Sequence, residues 1–150
     1  MRIALYQPDI PQNSGNIFRL GACFGISIDI IEPTGYIFDD KRFRRSSMDY
    51  INHIDYKRHI DWENFINWSK KNNFRLILLT TKAEKKYCDY SFKENDILLF
   101  GRESAGVPKK VHNNVDEQIT IPMVKGLRSI NVSSAVALVV GEACRQLNLF

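Results

Sequence analysis

Residues 96–147 read DILLFGRESAGVPKKVHNNVDEQITIPMVKGLRSINVSSAVALVVGEACRQL and hold the most informative patterns of the chain. The apolar run Ile97–Phe100 is of the kind that predicts a buried strand. Gly101 ends this run and begins a polar loop. The pair Val107-Pro108 then opens a short helix, because proline fits the first turn of a helix.

The same pattern occurs once more within this stretch. A second strand is predicted at Gln118–Ile121 and is followed by a loop that contains a glycine. The loop leads into a helix of about five turns, Val132–Leu149, with Asn131 or Ser129 as its N-cap. Open α/β sheets bind ligands at the edge where the carboxyl ends of parallel strands meet. The two strand ends therefore predict a pocket.

The final helix carries apolar residues almost all round its first three turns, which predicts burial on several sides. Small residues along this helix, among them Ser134, Ala137 and Gly141, would let another backbone approach closely. The alternative is that it is simply the core helix of a small domain.

Strands and helices also alternate along the rest of the chain. Further strands are predicted at Arg2–Tyr6, Ser27–Ile31, His53–Tyr56 and Phe74–Leu79. Further helices are predicted to begin near Gln12, to run from Asp39 to Ser47, and to follow an N-cap at Asp61. This alternation predicts one α/β domain over residues 1–150, with a mainly parallel sheet and helices on both faces.

The composition is that of a globular protein. Of the 150 residues, 44% are hydrophobic and 25% are charged, which suits one domain with a substantial core. No apolar run approaches the length of a membrane span, and Met1 leads straight into a strand pattern instead of a signal peptide. We therefore expect a cytoplasmic protein without a membrane partner. The net charge of +4 favours polyanionic partners.

Neither the cysteines nor the histidines have the spacing of a metal site. Cys23, Cys88 and Cys144 lie far apart without a C-x-x-C pair, so we expect small core residues in a reducing compartment. The histidines, which are expected to be solvated or to cap helices, also lack ligand spacing. They are His53, His59 and His112. No metal is expected.

Familiar nucleotide-binding motifs are missing from the sequence. No G-x-G-x-x-G follows the first strand, which disfavours a dinucleotide site. Gly101 and Gly106 have the spacing of a phosphate-binding loop, but Val107 and Pro108 stand where that loop needs lysine and serine or threonine. A P-loop NTPase is therefore disfavoured.

Two basic features favour a nucleic-acid partner. The predicted second helix places four cations in five positions: Lys41, Arg42, Arg44 and Arg45. With Phe43 interleaved, this run favours an RNA-binding patch, and the alternative is a solvated helix face. Arg19 falls in the first turns of its helix, where a cation opposes the helix dipole and would need an anionic or polar partner. The alternative for Arg19 is a surface arginine.

Three segments together resemble the three motifs of the SPOUT superfamily of RNA methyltransferases. These segments are Ile10–Arg19, Leu99–Pro108 and the stretch from Ile121 to Ser133. The sequence is most similar to the subgroup of small tRNA (cytidine/uridine) 2′-O-methyltransferases. That similarity rests on Ile31–Tyr36, Asp39–Arg45 and Asp49-Tyr50. The resemblance spans essentially the full chain.

The resemblance implies an α/β fold whose carboxyl-terminal part forms a deep trefoil knot, a homodimer, and S-adenosylmethionine as methyl donor. It places six residues around this cofactor: Leu79, Gly101, Ile121, Met123, Ser129 and Asn131. It places Arg19 at the methyl-transfer step, where a guanidinium would fix the ribose or a phosphate and stabilise developing charge. Asn13 and Glu103 would complete the catalytic site, and Arg128 would bind RNA beside it.

The implied activity is transfer of a methyl group to the ribose 2′-hydroxyl of the wobble nucleotide, a cytidine or modified uridine, in the tRNA anticodon loop. One alternative is a catalytically silent RNA-binding protein of the same fold, which would have no need of Arg19, Asn131 and intact cofactor loops. Another is a 2′-O-methyltransferase that acts on ribosomal RNA. At this length no further domain is available for RNA recognition, which favours a tRNA stem-loop lying across a dimer.

Overall fold

The computed structural model describes residues 1–38 and 41–149, and a six-stranded sheet forms its centre. The strands are β1 (Arg2–Tyr6), β2 (Ser27–Ile31), β3 (Tyr56–His59), β4 (Arg75–Leu79), β5 (Asp96–Phe100) and β6 (Glu117–Ile119). Their order is β3-β2-β1-β5-β4-β6, and every pairing between these six strands is parallel. The predicted α/β fold with a mainly parallel sheet is confirmed.

The strands are connected by helices α1 (Pro11–Phe24), α2 (Lys41–Ser47), α3 (Trp62–Lys71), α4 (Lys109–His112) and α5 (Val132–Leu147). α1 ends at Gly25, whose left-handed φ of 64° suits glycine. Asp61 caps α3 by accepting a hydrogen bond from the N–H of Asn64. Asn131 caps α5 by accepting from the next two serine N–H groups. Within the described residues, no helix has both the length and the apolarity of a membrane span.

Both faces of the sheet are covered, as the sequence predicts. Ile3 and Leu5 of β1 face one apolar cluster, to which α1, α2 and α5 contribute. Ala4 and Tyr6 face a second cluster, formed with α3 and α4. All five residues of β5 are buried, because this strand has neighbours on both edges and helices on both faces.

Two predicted strands have the wrong bounds. Instead of a strand at His53–Tyr56, residues 48–53 form a 3₁₀ helix, and β3 follows at Tyr56–His59. β3 is an edge strand with three exposed residues, so no apolar alternation marks it in the sequence. β6 ends at Ile119, and Thr120 continues only as an isolated bridge to Lys86. The predicted helix start at Asp39-Asp40 lies outside the described residues.

The prediction that all histidines are solvated or capping residues is wrong for His59. Its side chain is fully buried, and Nε2 lies 2.7 Å from Asp29 Oδ1. Arg2 Nε donates to Asp29 Oδ2 at 2.6 Å, so Asp29 is shared by two partners. The cause is position: His59 ends β3 on the inward side, where its ring packs edge-on against Phe65.

The cysteines are also placed differently from the prediction of three core residues. Cys144 is buried in the apolar cluster that α5 shares with the sheet. Cys23 and Cys88 are exposed. Cys23 lies on the outward face of α1 and Cys88 in a short 3₁₀ turn, and neither position is marked by the spacing of cysteines in the sequence.

Helix α5 is buried on one side only. Val136, Val139 and Val140 are fully buried, whereas Leu138 keeps 47% of its surface exposed. A Cβ atom added at Gly141 would meet nothing within 4 Å. The predicted burial of α5 on several sides is therefore not reached within one chain, and α5 leaves an open face of apolar and small residues.

Candidate active site

A cleft of about 550 Å³ opens at the carboxyl edge of the sheet, where β4, β5 and β6 end. Its volume falls within the range of roughly 300–1,000 Å³ that is usual for small-molecule sites. The six residues predicted to contact a cofactor all line it: Leu79, Gly101, Ile121, Met123, Ser129 and Asn131. Asn13, Glu103 and Arg128 line it as well. The structure thus brings nine of the predicted site residues together, and their roles stay predictions.

The loop after β5 closes into a tight ring beside the cleft. The N–H of Arg102 donates to the carbonyl oxygen of Gly106 at 3.1 Å, and the N–H of Gly106 donates back at 2.8 Å. A Cβ atom at Gly101 would lie only 2.7 Å from the carbonyl carbon of Gly106. Gly106 has a left-handed φ of 65°. Both glycines are therefore required by the shape of this loop.

Side chains from three distant segments form one hydrogen-bond network at the cleft. Asn131 Nδ2 donates to Asn13 Oδ1 at 2.9 Å, and Asn13 Nδ2 donates to Glu103 Oε1 at 3.0 Å. The backbone N–H of Asp9 donates to Glu103 Oε2 at 3.1 Å, and that of Glu103 donates to Asp9 Oδ1 at 3.2 Å. Ser104 donates to the other oxygen of Asp9. The predicted catalytic residues Asn13 and Glu103 are therefore in direct contact.

The pKa values of the two carboxyl groups in this network are shifted in opposite directions. Burial raises the pKa of Glu103, and the hydrogen bond with the Asp9 carboxyl group raises it further. The same contact with Glu103 lowers the pKa of Asp9, and the hydrogen bond from Ser104 adds to this lowering. Asp9 therefore stays ionised, while Glu103 holds a proton more readily than an exposed glutamate does.

Three cationic side chains line the cleft, namely Lys82, Arg102 and Arg128. Arg102 Nη2 donates to Gln7 Oε1, while its buried Nε finds no hydrogen-bond partner among the described residues. Gln7 has a positive φ of 45°, which is uncommon for a residue with a side chain. These cations suit an anionic group of a ligand, such as a carboxylate or a phosphate. In the described ranges, no group of three or more metal-binding side chains could hold a metal ion.

The other predicted residues lie outside the cleft. Arg19 is exposed on α1, and its guanidinium carbon lies 5.4 Å from the centre of the Tyr50 ring. This aromatic face takes the place of the anionic or polar partner that the sequence predicts for Arg19. Phe43 of α2 is buried. The four cations of α2 are all exposed, namely Lys41, Arg42, Arg44 and Arg45. α2 packs on α1, the helix that carries Asn13, since a Cβ atom at Gly15 would lie 2.9 Å from the Phe43 oxygen.

The residues at the site that carried no predicted role include Gln7, Asp9, Lys82 and Arg102. Arg102 and Lys82 lie within three residues of strand ends, and this position is the signal that could have found them. Asp9 lies between Pro8 and Pro11 in a segment whose prolines obscure any pattern. Its contact with Glu103 joins positions 94 apart in the chain, which local patterns do not reveal.

The chain is similar to curated tRNA methyltransferases along nearly its whole length. It is 49% identical over 145 residues to the tRNA (cytidine(34)-2'-O)-methyltransferase of Beijerinckia indica, which covers 97% of this chain and 91% of that protein. It is 43% identical over 149 residues to the Escherichia coli K12 protein of the same name, with 98% and 94% covered.

Solved structures of RNA methyltransferases share the fold. One that is described as giving structural insights into the 2-OH methylation of C/U34 on tRNA matches with a TM-score of 0.93 and 34% identity, over 98% of this chain and 95% of that chain. An AdoMet-bound rRNA methyltransferase from Sinorhizobium meliloti matches with a TM-score of 0.88 and 25% identity. This match covers 97% of this chain and 56% of that chain. The profile of the SpoU rRNA Methylase family matches residues 1–141. These matches confirm the resemblance seen in the three motifs, and the chain belongs to the SpoU rRNA methylase family.

Proposed function

We propose that this protein transfers a methyl group from S-adenosylmethionine to the ribose 2′-hydroxyl of nucleotide 34, a cytidine or modified uridine, in the anticodon loop of tRNA. The observation that carries this proposal is the 43–49% identity to tRNA (cytidine(34)-2'-O)-methyltransferases along nearly the full chain. The cleft supports it, because the predicted cofactor residues converge there.

The chemistry of the cleft fits S-adenosylmethionine. Leu79, Ile121 and Ala135 provide apolar walls for a purine, and the tight Gly101–Gly106 loop offers backbone donors and acceptors for its edge. The related Sinorhizobium meliloti methyltransferase is bound to this molecule. When bound, S-adenosylmethionine supplies an electrophilic methyl group on its sulfonium.

The protein's own task is to orient the ribose and to remove a weakly acidic proton. Glu103 is the one carboxylate among the described residues that line the cleft, and Asn13 holds it in place. Arg19 follows Asn13 by six residues, about 9 Å further along α1. Because RNA is a polymer that extends beyond the cleft, an exposed arginine at this distance can bind a phosphate or the ribose of the target nucleotide.

One methylation assay tests the function directly. Incubation with labelled S-adenosylmethionine and total tRNA should yield labelled 2′-O-methyl nucleosides from position 34. The same assay with ribosomal RNA tests the second candidate, which the description of the matching family favours. If only ribosomal RNA is labelled, ribosomal RNA is the substrate and tRNA is not. No label in either RNA, together with intact RNA binding, would identify a silent RNA-binding protein.

Calorimetry should show that S-adenosylmethionine and its demethylated product bind, whereas ATP and NAD do not. The reason is that the cleft lacks the glycine-rich phosphate loops that ATP or NAD would need. Both expected ligands should also raise the melting temperature by mass action. Tight ATP binding without binding of the methyl donor would contradict the cofactor proposal.

Replacing Arg44 and Arg45 by alanine should weaken tRNA binding and reduce its dependence on salt. Both side chains are exposed cations on α2, and each lost phosphate contact should lower the salt slope by about one unit. The matched control replaces Lys70 and Lys71, which are exposed at the end of α3 against the opposite face of the sheet. If both variants show the same salt dependence of tRNA binding, α2 is a solvated surface that does not bind RNA.

We also infer that two copies of the chain associate through the open face of α5. Leu138 is 47% exposed there, and the small residues Ala137 and Gly141 leave room for a second backbone. Membership in the family further implies the carboxyl-terminal trefoil knot. We expect the protein to act as one domain in the cytoplasm, where a tRNA substrate is found.

A further inference from the structure

Asp9 belongs to the hydrogen-bond network of the site but is not among the residues that line the cleft. The loop after β2 packs against it, since a Cβ atom at Gly35 would lie 2.6 Å from the Cβ of Asp9. The N–H of Gly35 also donates to the carbonyl oxygen of Pro8 at 2.9 Å. Glu103 and Ser104 hold the Asp9 side chain from the β5 loop. Asp9 is therefore fixed by two separate loops and lies outside the lining of the cleft.

We propose that Asp9 is a positioning residue for methyl transfer, which holds the Glu103 carboxyl group beside Asn13, where it can accept the hydroxyl proton. This role rests on the function proposed above. Each of the two carboxyl groups accepts the backbone N–H of the other residue, at 3.1 and 3.2 Å. The two residues are therefore tied in both directions: the Glu103 carboxyl group is held by the Asp9 N–H, and the Asp9 carboxyl group is held by the Glu103 N–H.

The contact also determines how strongly Glu103 holds a proton. A carboxylate with an ordinary pKa is a weak acceptor for a hydroxyl proton, and a higher pKa improves it. Burial and the contact with Asp9 both raise the pKa of Glu103, while Asp9 remains ionised beside it. Protonated Glu103 can then donate a hydrogen bond to the Asp9 carboxylate, which stabilises the protonated form.

Other charged or titratable groups line the same cleft as Glu103 or interact with it electrostatically. They are Tyr36 after β2, Lys82 after β4, Arg102 beside Glu103, His112 in α4 and Arg128 before α5. Burial raises the pKa of Tyr36 to about 12, so this phenol stays neutral. The cations favour the ionised form of Glu103, whereas burial and the Asp9 carboxyl group raise its pKa.

The proton balance of the step is then complete. The ribose 2′-oxygen forms a bond to the methyl carbon while the carbon–sulfur bond breaks, and sulfur keeps the electron pair. The hydroxyl proton passes to the Glu103 carboxylate and is released to solvent after the products leave. Activity therefore needs ionised Glu103 and should fall as the pH drops through its raised pKa.

Asp9→Asn should move the acid limb of the single-turnover rate to lower pH and reduce the rate on the plateau. The neutral amide donates to the Glu103 carboxylate and favours its ionised form, which makes Glu103 a weaker base. Glu103→Gln should lower the plateau on the order of hundredfold. A purely structural role for Asp9 would lower the rate at every pH and leave the limb where it is, and that result would overturn the proposal.

Asp55→Asn is the matched control, because Asp55 is an exposed carboxylate just before β3, at the opposite edge of the sheet. The acid limb of the pH–rate profile of Asp55→Asn should coincide with that of the wild type. An independent readout is ¹³C NMR titration of the glutamate carboxyl carbons, with Glu103 assigned by the signal lost in Glu103→Gln. Glu103 should titrate above exposed glutamates in the wild type, and titration together with them would overturn the proposal even if Asp9→Asn fails to fold. Absence of methyl transfer by the wild type would instead refute the proposed function.

Discussion

Arg19→Ala should lower the turnover of tRNA methylation on the order of hundredfold or more and leave the affinity for S-adenosylmethionine unchanged. The guanidinium is expected to bind oxygens of the target nucleotide and to stabilise the charge that develops on its 2′-oxygen. Arg19 is not among the cleft-lining residues, so cofactor binding should not depend on it. Single-turnover methylation and calorimetry, measured on the same preparations, give the two quantities.

Two further variants separate this role from a structural one. Arg19→Lys should restore little of the rate, because an ammonium group cannot bind two oxygens with the planar geometry of a guanidinium. Tyr50→Leu removes the ring on which Arg19 lies but keeps the guanidinium, so it should retain most of the rate. A near-normal rate in Arg19→Ala would make Arg19 an ordinary surface residue.

Leu138→Glu should convert a dimer into monomers. Leu138 lies on the open face of α5, and a carboxylate there would be buried against the apolar face of the second copy without a partner. Such a charge costs several kcal/mol, enough to raise the dissociation constant by a thousandfold or more. Sedimentation velocity at micromolar concentration measures the change.

Ile60→Glu is the matched control for this charge substitution. Ile60 is 77% exposed and directly follows β3, the edge strand furthest from β6. This variant should sediment as the wild type does. A Leu138→Glu protein that stays dimeric would place the interface elsewhere, and a monomeric wild type would refute the inference of a dimer.

The cleft could be predicted from sequence because its determinants are local. Gly101 and Gly106 are fixed by the backbone of their own loop, where a side chain would collide or a left-handed φ is required. Asn131 caps the helix that follows it immediately. Strand ends and helix starts are determined by neighbouring residues, so the motifs predicted which residues line the cleft.

Other parts of the site depend on contacts between distant positions. Asp9 meets Glu103 across 94 residues, and His59 meets Asp29 across 30. Both partnerships arise only because the sheet order places these loops and strands side by side. Similarly, β3 has no apolar alternation of its own and is defined by pairing with β2. Periodicity reports on neighbours along a helix or strand and carries no information about such pairings.

The central position of β1 leaves one of its edges unpaired during much of the synthesis of the chain. Arg2 pairs with Ser27 on one side but with Ile97 on the other, so one edge of β1 has its partner early and the other edge much later. Translation adds about 5–20 residues per second, so the second edge of β1 stays unpaired for roughly 5–20 s until β5 is synthesised. An uncovered edge of apolar strand is a template for wrong pairing. The newborn chain is therefore most prone to aggregate during the interval between the synthesis of β2 and β5.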